Sequence, residues 1–312
     1  MATEHRNFNI IGNRKYWYIL STVLILPGII ALAVWHLNIG IDFKGGSLQQ
    51  LHFTSRPSIN LLRTEAGDSG VKGLSVQTSG SQDALVSFPN QNGVTARTTG
   101  DTILSTIKAK QPSVTEVAFQ SISDSVSSST KTNAIWAVIL ASLAIILFIA
   151  WSFGSVAKPA SSWRFGLSAI AALAHDILFV VGAFAIIGHF FPTVEVDSLF
   201  ITALLTILGY SVNDTIVVFD RIRENLRRTP GKSFEEIANN SLNQTLARSL
   251  NTSLTVLIVL SSLLLLGGTS IRDFILALTL GVAIGTYSSI FNASPILVSW
   301  QGWVDARTSK AK

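Results

Sequence analysis

Residues 199–219 read LFITALLTILGYSVNDTIVVF, an apolar run broken by the polar stretch Gly209–Thr215 and carrying one charge, Asp214. A bilayer core ~30 Å thick is crossed by ~20 mostly apolar residues in helical form, so this segment is long enough to span it. Lipid offers no partner to a peptide group, and a lone apolar segment satisfies its own backbone only as a helix. The pattern recurs on both sides. Upstream, 17–37 is uncharged apart from His36, 134–153 is wholly uncharged, and 165–191 carries only His175, Asp176 and His189. Downstream, 249–266 and 274–300 lack Asp, Glu, Lys and Arg. Six spans predict an α-helical polytopic membrane protein.

Composition agrees. Of 312 residues, 13% are charged and 48% hydrophobic. A soluble protein of similar apolar share carries ~25% charged residues, so the charges here have been excluded from long runs. The absence of cysteine excludes a disulfide framework, a thiolate metal site, an iron–sulfur cluster and a cysteine nucleophile. The first span is too long and too late for a cleaved signal peptide and reads as a retained helix.

Basic residues resist translocation, so their placement predicts orientation. Fourteen of the 23 Lys and Arg, among them Arg6, Arg14, Lys158, Arg221, Arg223 and Lys312, fall in the amino terminus, the loops after spans two and four and their flanks, and the carboxyl terminus. The short loops on the other side hold only Arg272, against Glu195, Asp197 and Asp273. Both termini are expected in the cytoplasm, and the net charge of +5 reports topology rather than nucleic-acid binding. The expected organisation is 1–16 cytoplasmic, 17–37 the first helix, 38–131 an extracytoplasmic domain, 132–303 helices two to six with a cytoplasmic loop 220–247, and 304–312 cytoplasmic.

Within 38–131 the pattern predicts a strand at Leu48–Phe53, a helix at Ser58–Asp68 with Ser58 as N-cap, a hairpin of Leu74–Gln77 and Ala84–Phe88 around Thr78–Asp83, a helix at Thr98–Lys110 and a strand at Val114–Phe119. That order is the ferredoxin-like α+β sandwich. Ser121–Thr130 reads as a hinge or a polar lead into span two, and Ser233–Gln244 as an amphipathic helix on the cytoplasmic surface. Gly45-Gly46 reads as a bend.

An ionisable group inside a span is costly unless paired or wetted, which marks it as a candidate for function. Asp214 lies ~9 Å inside the fourth span, and Arg248, on the ascending fifth helix, ~6–8 Å up from the same side. One reading is a carboxylate that takes and releases a proton, with an arginine whose approach or withdrawal sets its affinity. The other is a static ion pair pinning two helices, or an arginine that snorkels. Asn213, Ser211, Thr215, Asn251, Thr252 and Ser253 flank the pair and suit water or interhelical hydrogen bonds. His175 and Asp176 lie ~18 Å into the third helix; as neighbours 100° apart they are expected not to face one partner, and a structural hydrogen bond is the bland reading. Gly182, Gly281 and Gly285 read as close-packing positions. The five histidines show no metal-ligand spacing, and no phosphate loop, catalytic triad or HExxH motif is present. No enzyme, metal or cofactor is expected.

Ile41-Asp42-Phe43-Lys44-Gly45-Gly46 after the first span, Asp214-Thr215-Ile216-Val217-Val218-Phe219-Asp220-Arg221-Ile222-Arg223-Glu224-Asn225, and Asn243-Gln244-Thr245-Leu246-Ala247-Arg248-Ser249-Leu250-Asn251-Thr252-Ser253 together resemble SecF of the SecD/SecF family of bacterial protein-export membrane proteins, in the RND superfamily. The ~90-residue outside domain fits the SecF type rather than the longer SecD. The resemblance implies an RND-type half that pairs with SecD in a twelve-helix unit of the bacterial plasma (inner) membrane and uses the proton-motive force to draw unfolded preproteins from the SecYEG channel, with YajC and YidC as further partners. It also implies that Asp214 carries the proton, that Arg248 is its partner, and that SecD adds a carboxylate absent here. Two alternatives stand beside it: a structural subunit that conducts no protons, and a small-molecule exporter of the RND type.

Overall fold

The computed structural model describes residues 8–55, 57–79, 81–91, 93–153, 161–229, 231–268 and 271–310. Arg6, Lys158 and Lys312 of the charge pattern, and Gly80 in the expected Thr78–Asp83 turn, lie outside them.

Among the described residues six helices are long and apolar enough to cross a membrane: α1 (Arg14–Val34), α5 (Asp124–Ser152), α6 (Ser162–Phe190), α7 (Ser198–Arg228), α8 (Phe234–Leu266), and a sixth made of α9 (Arg272–Ser288), a π-helical turn (Ser289–Ala293) and α10 (Ser294–Lys310). Running alternately up and down, they leave the start of α1 and the end of α10 at one end of the bundle and the residues between α1 and α5 at the other, the domain end. Several helices outrun their apolar stretches. The segment expected to lie on the surface, Ser233–Gln244, is the first third of α8. Ser233 caps it by accepting from the Glu236 amide at 3.2 Å, and Ile237, Ala238 and Leu242 are buried with Ile10, Ile11, Ile222 and Leu226 in the main core cluster. Those apolar positions share one helical face, so they bury it against neighbouring helices rather than against lipid headgroups. The expected hinge at Ser121–Thr130 is likewise mostly helix. Ser123 caps α5 at the Val126 amide, and Ser127 and Thr132 bond back to carbonyls one turn earlier, which lets hydroxyls sit inside a helix without interrupting it.

Close packing is set by glycine at two contacts. A Cβ on Gly182 of α6 would fall 2.6 Å from Gly28 Cα of α1, so the two backbones touch. On α9 a Cβ at Gly281 would meet Ile207 at 2.2 Å and one at Gly285 would meet the Ser211 Cβ at 3.1 Å, both on α7. Small residues let helices associate where no hydrophobic force separates protein from lipid.

The domain between α1 and α5 holds α2 (Ile41–Lys44), β1 (Gly46–His52), α3 (Ile59–Gly67), β2 (Ser75–Ser79), β3 (Asp83–Phe88), α4 (Ala96–Lys110) and β4 (Thr115–Ile122). Its antiparallel sheet runs β2-β3-β1-β4, the ferredoxin-like order. Leu51, Phe53, Val86 and Phe88 from the sheet and Leu62, Ile103 and Ile107 from α3 and α4 form its core. Only α2 has no counterpart in the sequence expectation, since four residues carry no periodic signal.

Gly182→Val should overpack the α1–α6 crossing and cost ~1–3 kcal/mol, lowering the unfolding temperature in detergent. Gly209→Ala, where an added Cβ meets nothing within 4 Å, should be neutral or stabilising. Equal midpoints for the two variants would contradict the close contact.

Candidate functional site

The polar centre of the bundle is organised by the π-turn. In an α-helix neighbouring side chains diverge by about 100°, so two adjacent residues can address two different neighbours. Ser288 donates to Asp176 Oδ2 of α6 at 2.7 Å. Ser289, the next residue, donates to Asp214 Oδ2 of α7. Asp176 also accepts from Ser211 of α7 at 2.5 Å, and its other oxygen lies 3.0 Å from His175 Nδ1. Asp214 Oδ1 accepts from Ser249 of α8 at 2.6 Å. Two carboxylates on adjacent helices thus hang from consecutive hydroxyls of the sixth span. A further hydroxyl chain lies beside them: Tyr210 and Thr286 both donate to Ser253, at 2.9 and 2.6 Å.

The expected Asp214–Arg248 ion pair is not formed. Asp214 is half-buried and satisfied by hydroxyls, whereas Arg248 is exposed and, among the described residues, makes no salt bridge. The helical phase explains this: Ser249 occupies the face of α8 turned toward α7, so Arg248, one residue earlier, points aside. Asn213, Asn251 and Thr252 are exposed as well, and Thr215 is buried. His175 and Asp176 make the structural hydrogen bonds expected there. They are each other's partner across adjacent positions, and Asp176 is 1% exposed. Ser249, Ser288 and Ser289 were missed altogether. Their signal was the run Ser288-Ser289 with Asn292 and Ser294 in an otherwise apolar span, a polar interruption of the kind that marks the fourth span.

At the domain end the Ile41–Gly46 motif builds the root of the α+β domain. Gly45 (φ +74°) and Gly46 (φ +123°) turn the chain from α2 into β1 through backbone conformations open to glycine. Asp42 accepts from the Ser198 amide at 2.9 Å and Asp197 from the Phe200 amide at 2.8 Å, so two carboxylates cap α7 where its dipole is positive. Backbone bonds from Gly40 to Val196 and from Val196 to Asn38 join the root to the α6–α7 loop. Beyond the root, a cleft of about 790 Å³ separates the open sheet face (Leu48, Gln50, Leu85) from the ends of α6 and α9 (Ile187, Phe191, Leu276). Helix α7 is therefore tied to the domain at one end and carries Asp214 within the bundle.

The description "Protein export membrane protein SecD/SecF, C-terminal" matches residues 102–303. The "Protein translocase subunit SecF" of Thermobaculum terrenum is 44% identical over 301 residues, 94% of each chain. The chain belongs to the SecD/SecF family. The SecF of Anaerolinea thermophila is 39% identical over 94% of each chain. The single-chain SecDF of Thermus thermophilus, described as a translocon-associated membrane protein, superimposes with TM-score 0.83 at 31% identity, covering 97% of this chain and 40% of that one. A SecDF structure in a super-membrane-facing form covers nearly the same share of this chain, 98%, at TM-score 0.69, so solved SecDF structures differ in how the same elements are arranged. This chain spans about 40% of that SecDF chain. It is a multi-pass membrane protein of the SecF type, an accessory subunit of the Sec translocase.

The root also titrates. Burial raises Glu195 from its ordinary 4.5 to about 7, with Asp273 and Asp197 adding to the shift and Lys44 opposing it. Burial raises Asp197 too. A carboxyl whose folded value is raised binds a proton that the opened form would release, so root stability should fall as pH rises from about 4.5 to 7 and level off above. Hydrogen exchange at the amides of Val196 and Ser198, corrected for intrinsic rate, should be faster at neutral than at acid pH. Glu195→Gln should flatten that dependence, and an unchanged profile in the variant would exclude Glu195 as its source.

Proposed function

We propose that this chain is the SecF half of an export motor in which Asp214 binds and releases the proton that drives preprotein movement. The observation that carries the reading is the exposed polar face beside Asp214. Arg248, Asn213, Asn251 and Thr252 lie exposed on α7 and α8, with no covering helix among the described residues, toward the polar ends of the apolar runs 199–219 and 249–266. A bare guanidinium facing hydrocarbon is unfavourable by several kcal/mol, so this face is made for a second membrane half that brings an acidic or polar partner. SecD is that half. SecYEG supplies the translocating preprotein, and YajC and YidC join the assembly. Both termini lie in the cytoplasm and the α+β domain on the outer side, in line with the placement of the basic residues.

Protonation of Asp214 would release Ser249 and Ser289 from their duty as donors and change how α8 and the sixth span hold α7. Each proton crossing 100 mV yields ~2.3 kcal/mol, comparable to one or two such charge-assisted hydrogen bonds. Since α7 is capped by the domain root, a shift of α7 reaches the outside domain without a separate relay. The non-conducting structural reading is weaker, because the ion pair on which it rests is absent from the described residues.

Asp214→Asn should assemble with its partner half yet reduce proton-motive-force-dependent export in membrane vesicles to the level measured with an uncoupler. Arg248→Gln should do the same, with Arg248→Lys intermediate. Full force-dependent export by Asp214→Asn would remove Asp214 from the mechanism.

A further inference from the structure

We infer that the His175–Asp176 dyad is a second proton-binding site of this half, coupled to Asp214 through the consecutive hydroxyls of Ser288 and Ser289. This rests on the reading of Asp214 as a proton carrier and extends it to a group on another helix.

Asp176 lies in the middle of a 29-residue helix and is 1% exposed. No lysine or arginine pairs with it among the described residues. The groups that face it are His175 on its own helix, Ser211 on α7 and Ser288 on α9. Beyond them come the Tyr287 ring, 6.1 Å from that of His175, and Asp214, reached through Ser289. A buried carboxylate with only neutral donors and an imidazole is stable as an anion only if those donors are complete; otherwise it takes a proton. The set is finely balanced: three donors serve two oxygens, and one of them, His175, is itself basic. His175 Nε2 is buried and has no hydrogen-bond partner, so the dyad retains one free proton-accepting position beyond the bond that joins its members. A proton added here belongs to the pair rather than to either residue.

The coupling lies in the hydroxyls. Ser288 Oγ is 2.7 Å from Asp176 and 3.2 Å from the Gly285 carbonyl, and Ser289 Oγ is bonded to Asp214 and lies 3.0 Å from the Thr286 carbonyl. Each hydroxyl has one proton and two acceptors. It donates to the carboxylate when that group is ionised, and turns to its own carbonyl one turn earlier when the carboxyl is protonated and itself becomes the donor. Both serines sit at the junction of α9 and the π-turn, where the hydrogen-bond ladder changes register, so a switch at one shifts the backbone that carries the other. Proton binding at Asp176 therefore alters the donor available to Asp214, and the reverse.

A proton adds to His175 Nε2, the Nδ1 proton passes to Asp176 Oδ1, and Ser288 redirects its donation to the Gly285 carbonyl, so that only N–H and O–H bonds are formed or broken.

The test is pH-difference infrared spectroscopy on the full-length chain purified with its partner half in lipid nanodiscs. Wild type should show two carboxylic-acid C=O bands from buried groups. Asp176→Asn should abolish one and move the titration midpoint of the other by about one pH unit or more, the mark of coupled sites. Asp214→Asn should abolish the other and shift the Asp176 band. His175→Gln, which leaves both carboxylates, should keep both bands and move the midpoint of Asp176, and it serves should Asp176→Asn fail to assemble. In vesicles the same His175→Gln chain should shift the pH optimum of export rather than only lower its maximum. An unaltered Asp214 midpoint in both Asp176→Asn and His175→Gln would overturn the coupling, and loss of no band in Asp176→Asn would overturn the site. Failure of the Asp214 reading shows separately, as force-dependent export retained by Asp214→Asn.

Discussion

A carboxylate in the middle of a bilayer must either be supplied with donors or give up its charge, and the architecture of this bundle follows from that constraint applied twice. Asp176 and Asp214 are held by hydroxyls rather than by cations, and the sixth span supplies one to each from adjacent positions. Reaching two helices from neighbouring residues requires α6, α7 and the sixth span to approach closely at one level. The glycines at 281 and 285 allow it by removing side chains from the α7–α9 contact. Had either been alanine or larger, Ile207 or Ser211 would have to move and the serine pair would lose its reach. Packing and polar satisfaction are therefore one requirement here, met by small residues on α9 and by hydroxyls just beyond them.

Hydroxyls make a different kind of site from an ion pair. A guanidinium beside a carboxylate favours its ionised form and ties it to a single state. Serine donors favour the anion more weakly than a cation does, and a hydroxyl can turn away by rotation about one bond. The price is geometric, because a short side chain must be placed within ~3 Å of its acceptor. The π-turn meets that demand, as such turns in helices often do at functional positions.

Much of this was legible in the chain and some was not, for identifiable reasons. Span number and the ferredoxin-like order followed from hydropathy and alternation, signals that integrate over many residues. Helix ends were less legible: α8 begins well before its apolar run because Ile237, Ala238 and Leu242 bury against protein rather than lipid, and sequence does not say which neighbour an apolar face will meet. Asp214 stood out as a charge in an apolar run, while the serines that hold it did not, since serine is common in membrane helices for packing alone. The Asp214–Arg248 pairing was inferred from depth, which fixes height along the helix but not azimuth; Ser249 rather than Arg248 faces α7. A structural hydrogen bond at His175 and Asp176 follows from their depth in the span, while the bond between the two neighbours does not follow from the divergence of their Cβ atoms.

The azimuth of Arg248 bears on how work is done. If the cation that tunes Asp214 belonged to the same packed core, a change of protonation could be absorbed by a local rearrangement and would move little. Arg248 stands instead on the open face, so on the proposed reading protonation of Asp214 would be felt as a change in how this half fits its partner. The root of the α+β domain is bonded to the head of α7, the same helix whose middle presents Asp214 near that boundary. A rotation of α7 would therefore carry with it a domain that overhangs a cleft and is fastened to the bundle at its root. On the proposed reading, converting a proton into motion calls for one stiff helix, a domain capped onto its end and a carboxylate whose donors can turn away, and α7 joins the root of the domain to an Asp214 held by two serine hydroxyls.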